Sequence, residues 1–364
     1  MRYWAYNLEF KLYYGEKMSY FRENIEKVSG YVPGFQPGKG DVVKLNTNEN
    51  PYPASGEVIA AIGGISAEQL RRYPEPLGDS FREAASEVHG VGPGNILCCN
   101  GGDDLLTICF RAFCDEGRGV AYPVPTYSLY PVLAKLQNCE AIEKEFGEDF
   151  SLPAGLGSAE AGLTIVCNPN APSGTCVKID EMASLAGEVE GVLLIDEAYV
   201  DFAEGDCIGL IQDFDNIIIL RSMSKGYSLA GIRFGYAIAD EKLISGLAKV
   251  KDSYNVNVVS LAAANAAIKD RGYFEENVAK VKAQRKRLVE NLRELGFSVP
   301  DSETNFVLVK CNDCDAGEVY DKLVGRNIYV RYFNLPMLDD KLRITVGTKE
   351  QNNVLIEALK EITG

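Results

Sequence analysis

Histidine is nearly absent from this chain: His89 is the only one in 364 residues. Its scarcity removes serine–histidine and cysteine–histidine nucleophile chemistry unless His89 itself serves. His89 ends the helical pattern "REAASEVHGVGPG", with Gly90 as helix C-cap, so it reads as a cation at a helix C-terminus. Ten cysteines are present, but only "CNDC" (311–314) has metal-ligand spacing, and no second such pair exists. A zinc site is therefore disfavoured. Most cysteines lie in apolar runs such as "NILCC" and "TIVCN", the pattern of buried reduced thiols in a cytoplasmic protein. No apolar run is long enough to cross a bilayer. Residues 1–17 mix charges with aromatics and lack an apolar h-region, which argues against a secretory signal. They read as a poorly anchored extension, and Met18, opening "MSYFRENIEKV", as a candidate start. Positive charge is also scarce: 37 Lys+Arg against 52 Asp+Glu leave a net charge of −15, with an isoelectric point near 4.7. Such a field repels nucleic acid and anionic membrane. An anionic small molecule must then be held by local cations, so single arginines gain meaning.

The apolar content of 46% and charged content of 24% are those of an ordinary globular protein, and the length predicts two domains. Through the middle, short β-rich runs alternate with helical ones. Strands are predicted at 95–99, 119–123, 141–146, 163–168, 191–196, 216–220 and 232–239, with helices at 103–113, 127–137 and 178–189. Continuous Val/Ile/Leu strands between helices predict an α/β fold with a mostly parallel sheet covered on both faces. After residue 240 the character changes to a long helical region (257–296) broken near "DRGYF". Strands at 304–310, 327–333 and 341–347 and two more helices follow, a smaller α+β unit. The expected division is an extension (1–17), an arm packing with the small domain (18–45), a large cofactor-binding domain (46–260) and a small C-terminal domain (261–364).

Open α/β sheets bind ligands beyond the carboxyl ends of their strands. "LTIVC" ends at Asn168, "VLLI" at Asp196 and "IIIL" just before "RSMSKG", bringing Asn168, Asp196, Tyr199 and Lys225 to one rim. A helix start at "NGGDDLL" adds Gly101 and Gly102, where free N–H groups can hold a phosphate. Each residue alone has an ordinary reading. Asp196 suits a helix N-cap, Asn168 a turn before proline, the tyrosines a half-buried surface, and Lys225 a solvated loop. Jointly, at successive strand ends, they suit one cofactor, pyridoxal 5′-phosphate. Lysine forms a Schiff base with its aldehyde, and a carboxylate keeps its pyridine nitrogen protonated. A phenol and an amide meet the ring oxygen, an aromatic face stacks, and hydroxyls, N–H groups and an arginine hold the phosphate.

The motifs "NPNAPSG", "DEAYVDF" and "SMSKGYSLAGIRFGY" together resemble the fold-type I, class II aminotransferases. "KLNTNENPYPAS", "RYPEP" and "LRITVGT" narrow the resemblance to their histidinol-phosphate aminotransferase branch, from about residue 20 to the C-terminus. The resemblance implies that Lys225 is the Schiff-base lysine and proton carrier and that Asp196 pairs with the pyridinium. Tyr199 and Asn168 would bond the ring oxygen, and Tyr127 would stack. Ser222, Ser224, Arg233 and the N–H groups of Gly102 and Asp103 would hold the phosphate. Tyr73 would reach the other subunit's site in an obligatory homodimer. Tyr31, Asn48, Arg331 and Arg343 would line the substrate pocket, with Arg343 reading the anion of both glutamate and histidinol phosphate. The implied activity is amino transfer between histidinol phosphate and 2-oxoglutarate in histidine biosynthesis. The alternatives are a threonine-phosphate decarboxylase, an aromatic amino-acid aminotransferase and a regulatory cofactor-binding module without turnover.

Overall fold

The computed structural model describes residues 20–31, 34–38, 40 and 42–363. The expectations for residues 1–17 and Met18 lie outside the described residues.

The strands, in chain order, are β1 (Val43–Lys44), β2 (Ile96–Cys99), β3 (Gly119–Val124), β4 (Ala141–Glu145), β5 (Ala161–Cys167) and β6 (Val192–Asp196). They continue with β7 (Ile217–Ser222), β8 (Gly235–Ala239), β9 (Phe306–Lys310), β10 (Ile328–Tyr329), β11 (Arg331–Tyr332) and β12 (Lys341–Thr345). Seven of them form one sheet in the order β2-β8-β7-β6-β5-β3-β4. β8 alone runs against its neighbours; the rest are parallel. The expected mostly parallel α/β sheet is borne out.

Its strands are greasy on both sides because both sides are covered. Leu193, Ile195, Ile217 and Ile219 face one apolar core, shared with the helices Asp79–His89, Ile179–Glu188 and Val258–Lys269. Leu194, Ile218 and Leu220 face the other, shared with Gly102–Phe113, Tyr130–Gln137 and Glu241–Ala248. The two-residue alternation of a strand sends successive residues to opposite layers.

A second sheet, β11-β12-β9, is antiparallel and packs with Arg271–Glu294, Ala316–Val324 and Lys349–Thr363 around a third core. The expected boundary at 260/261 cuts through Val258–Lys269. Leu261, Ala263, Ala264, Ala267 and Ile268 of that helix belong to the core of the large sheet. A division inside Arg271–Glu294 is proposed instead, since Phe274 faces the large sheet while Val281, Leu288 and Leu292 face the small one.

Two further expectations are corrected. The run 327–333 does not form one strand: β10 pairs in parallel with β1, while β11 pairs with β12. The arm is also divided. Its later part joins the small unit, through β1 and through Phe35, whose ring lies 5.4 Å from that of Tyr329. Its earlier part lies on the large unit, where Asn24 Nδ2 donates to Lys135 O (2.8 Å) and Arg22 Nη2 to Leu136 O (3.2 Å).

Candidate active site

The parallel register brings the strand ends level: Cys167 pairs with Asp196, and Asp196 with Leu220. Beyond them opens a cavity of about 660 Å³, walled on its far side by β11, β12 and the segment that joins them. This is a volume suited to small-molecule sites.

Lys225 follows β7 on a loop whose carbonyls at Lys225 and Gly226 accept from Asn50 Nδ2 (3.0 and 3.1 Å). Met223, between the two serines, is buried and anchors this loop in the core. Lys225 Nζ lies 3.4 Å from Thr47 O and 5.6 Å from the centre of the Tyr199 ring. Burial, followed by the nearby Arg343 cation, lowers its pKa to about 8. Asp196 is buried and accepts from Tyr130 Oη (2.7 Å) and the Ala198 N–H (3.1 Å). Burial nonetheless raises its pKa to about 6. A cationic ring nitrogen beside this carboxylate would remove that penalty. Tyr199 Oη accepts from Asn48 Nδ2 at 3.0 Å, and burial raises the phenol to about 12.

The helix Gly102–Phe113 points its N-terminus into the cavity, where the first N–H groups of a helix lack helical partners. Gly101, at φ 89° and ψ 171°, adopts a backbone conformation that favours glycine, and its lack of a Cβ lets the Arg233 guanidinium approach. Arg233, itself at φ 56°, donates Nη1 to Ser224 Oγ (3.4 Å) and Nη2 to Asp103 Oδ2 (3.3 Å). Ser222 Oγ accepts the Ser224 N–H at 3.2 Å. Together the helix N-terminus, the two serines and Arg233, which is paired with Asp103, make a cluster of donors suited to an anion. Tyr127 stands over the cavity with its hydroxyl 3.1 Å from Asp103 Oδ1 and its ring 6.0 Å from Tyr31.

Opposite the sheet, cross-strand register sets Arg331 beside Arg343. Both guanidiniums lie near the Phe333 ring, at 5.2 and 5.4 Å. Arg343 Nη2 donates to Asn46 O (3.2 Å), while Arg343 Nε, Asn46 Oδ1 and Thr47 Oγ1 are buried without hydrogen-bond partners among the described residues. Orphaned buried groups of this kind cost free energy and mark a place for a ligand. Desolvation lowers the Arg343 pKa.

Lysine, buried carboxylate, phenols, donor cluster and guanidinium pair together fit a phosphorylated aromatic aldehyde and an anionic substrate. Two expected residues stand apart. Asn168 does not line the cavity. Its Oδ1 accepts the Val177 N–H (2.7 Å), and its Nδ2 donates to Val177 O (3.2 Å) and lies 4.0 Å from Cys207 Sγ, so these contacts hold the loop. Tyr73 is 80% exposed and stacks on Tyr254 at 4.5 Å, outside this chain's own cavity. His89 does close the helix Asp79–His89, but as a neutral group. Burial, then the Arg221 cation, lowers its pKa to about 3, and Nε2 meets Tyr236 Oη at 2.8 Å. Tyr130 escaped the sequence reading: three residues from Tyr127, it looked like one more apolar position of a helix.

Residues 40–359 match the aminotransferase class I and II family. A histidinol-phosphate aminotransferase 1 of Trichormus variabilis is 49% identical over 346 residues, covering 94% of this chain and 99% of its own. The histidinol-phosphate aminotransferase of Citrifermentans bemidjiense is 43% identical over 343 residues, covering 94% and 98%. The crystal structure of histidinol-phosphate aminotransferase from Sinorhizobium meliloti in complex with pyridoxal-5′-phosphate superposes with a TM-score of 0.86 at 25% identity, covering 96% and 98%. The chain belongs to the class I and II aminotransferase family.

Proposed function

We propose that this enzyme transfers an amino group between L-histidinol phosphate and 2-oxoglutarate, giving imidazole acetol phosphate and L-glutamate in histidine biosynthesis, with pyridoxal 5′-phosphate as cofactor. The observation that carries the reading is the meeting of Lys225, buried Asp196 and the paired Arg331 and Arg343 in one cavity. Relatives at 43–49% identity that bear this activity support it.

When bound, the cofactor supplies an aldehyde that takes up an amine and a ring that accepts electrons. Lys225 would hold it and would carry the proton that leaves the amine-bearing carbon. Its pKa of about 8 leaves an appreciable neutral fraction near neutral pH. Asp196 would pair with the pyridine nitrogen, and Tyr127 would cover the ring. Gly102, Asp103, Ser222, Ser224 and Arg233 would hold the phosphate, and Tyr199 would donate to the ring oxygen. Arg343, with Arg331 and Tyr31, takes the carboxylate of glutamate or the phosphate of histidinol phosphate, since a guanidinium fork suits either anion.

Tyr73 of a second copy completes the site, making the working unit a homodimer. Its exposure, with neighbours Leu70 and Leu77 also open to solvent, supports this. Among the described residues no helix is long and apolar enough to cross a membrane. Ten free cysteines support a reducing, cytoplasmic setting.

The test is a pair of absorbance spectra of the purified protein before and after adding histidinol phosphate. The visible band should convert to the aminated form and return with 2-oxoglutarate. A band indifferent to histidinol phosphate overturns the substrate and points to threonine phosphate or aromatic amino acids.

A further inference from the structure

The segment 46–48 is where the two units of the cavity meet. Asn48 is buried, with φ 56°, a left-handed conformation that asparagine tolerates better than most residues. Its main chain is fixed at both ends: its N–H donates to Thr345 Oγ1 (3.0 Å), and its carbonyl accepts from Asn305 Nδ2 (2.9 Å). The side chain divides. Oδ1 accepts from Thr345 Oγ1 (3.0 Å) and Nδ2 donates to Tyr199 Oη (3.0 Å). Thr345 thus fixes the amide's orientation: its hydroxyl accepts the Asn48 N–H and donates its one hydrogen to Oδ1, and Nδ2 is left for the phenol. A phenol that accepts from an amide must turn its own hydrogen elsewhere. Among the described residues that hydrogen meets no acceptor, and Tyr199 lines the cavity.

We infer that Asn48 is a positioning residue that turns the Tyr199 O–H into the cavity, toward the ring oxygen of the cofactor. It also ties that hydrogen bond to β12, the strand that carries Arg343. The inference rests on the proposed role of Tyr199.

The test is a pH titration of the bound cofactor's visible absorbance in the holoenzyme. A donor to the ring oxygen stabilises its anionic form and holds the midpoint down. Tyr199→Phe should raise the midpoint by about one pH unit, the scale of a hydrogen bond to a charged group. Asn48→Ala should raise it by less, and should add nothing in the Tyr199→Phe background, because the two changes remove one interaction. Asn48→Gly should behave alike, and it suits the left-handed backbone, so the test survives if the alanine variant fails to fold. Asn48 variants that keep the wild-type midpoint while Tyr199→Phe raises it overturn the inference alone. Additive shifts in the double variant overturn it as well. A Tyr199→Phe midpoint equal to wild type overturns the role of Tyr199, and the inference with it.

Discussion

Tyr130 gives its phenolic hydrogen to the carboxylate of Asp196 across 2.7 Å, with both groups buried. This bond opposes a burial that lifts the carboxyl from 3.8 to about 6. Tyr130→Phe should raise that pKa further and cost about 1–3 kcal/mol of stability in urea unfolding of the cofactor-free protein. The sign of the pH effect follows from the raised folded pKa. The folded chain holds the proton longer than the unfolded one, so the carboxylate destabilises the fold as pH rises through about 4 to 6. Relative to Asp196→Asn, the cofactor-free wild type should lose about 3 kcal/mol between acid and neutral pH.

Lys225 has the opposite charge and a lowered pKa, so its neutral form is the one the fold favours. Capture of added cofactor by the cofactor-free protein should accelerate about tenfold per pH unit and level off above about pH 8, as the reactive neutral amine appears. Stopped-flow absorbance reads this directly. A rate that keeps climbing to pH 10 would place the amine in an ordinary solvated loop.

Arg343 is assigned to both substrates, so its loss should injure both half-reactions. Arg343→Ala should reduce kcat/KM for glutamate and for histidinol phosphate by about 10- to 100-fold each, the scale of a charge-assisted hydrogen bond. Single-turnover spectra separate the two. Damage confined to one half-reaction would assign the other anion to Arg331.

Tyr73 stands outside its own chain's cavity. Two inactive proteins, Tyr73→Ala and Lys225→Ala, should therefore recover activity when unfolded together and refolded. In a random mixture about one site in four has both residues intact. No recovery from a verified mixed dimer would assign Tyr73 to its own chain.

Asn168 is proposed to serve the scaffold, through its bonds to Val177. Asn168→Ala removes its two bonds to Val177 and should cost about 1–3 kcal/mol in thermal or urea unfolding. The absorbance and pH midpoint of bound cofactor should stay those of wild type.

The sheet was legible because Val/Ile/Leu runs end abruptly in polar residues. That pattern identified Asp196 at the end of β6 and the Lys225 loop after β7. What it does not encode is the direction a loop side chain takes. Asn168 follows β5 as expected, yet the chain returns at Val177 and claims both ends of its amide. Tyr130 was hidden by its helix, since a buried tyrosine and a buried leucine satisfy the same periodicity. Asn48 lines the cavity, but its bonds to Tyr199 and Thr345 join residues too remote in the chain for any local pattern to reveal. The run 327–333 looked continuous because two short strands in different sheets share one alternation.

The contact between Asn48 and Thr345 spans 297 residues. A ribosome adding about 5–20 residues per second needs roughly 15–60 s to synthesise that stretch. All seven strands of the large sheet have emerged by Ala239, bringing Asp196 and Lys225 to its rim. Meanwhile β1 and the segment 46–48 wait for β10 and β12, among the last strands to be made. Closing a loop of this length is entropically slow, and the waiting arm is an unpaired edge. Order of synthesis thus predicts an order of competence: the sheet rim should assemble first, and the arginine wall that shuts the cavity last.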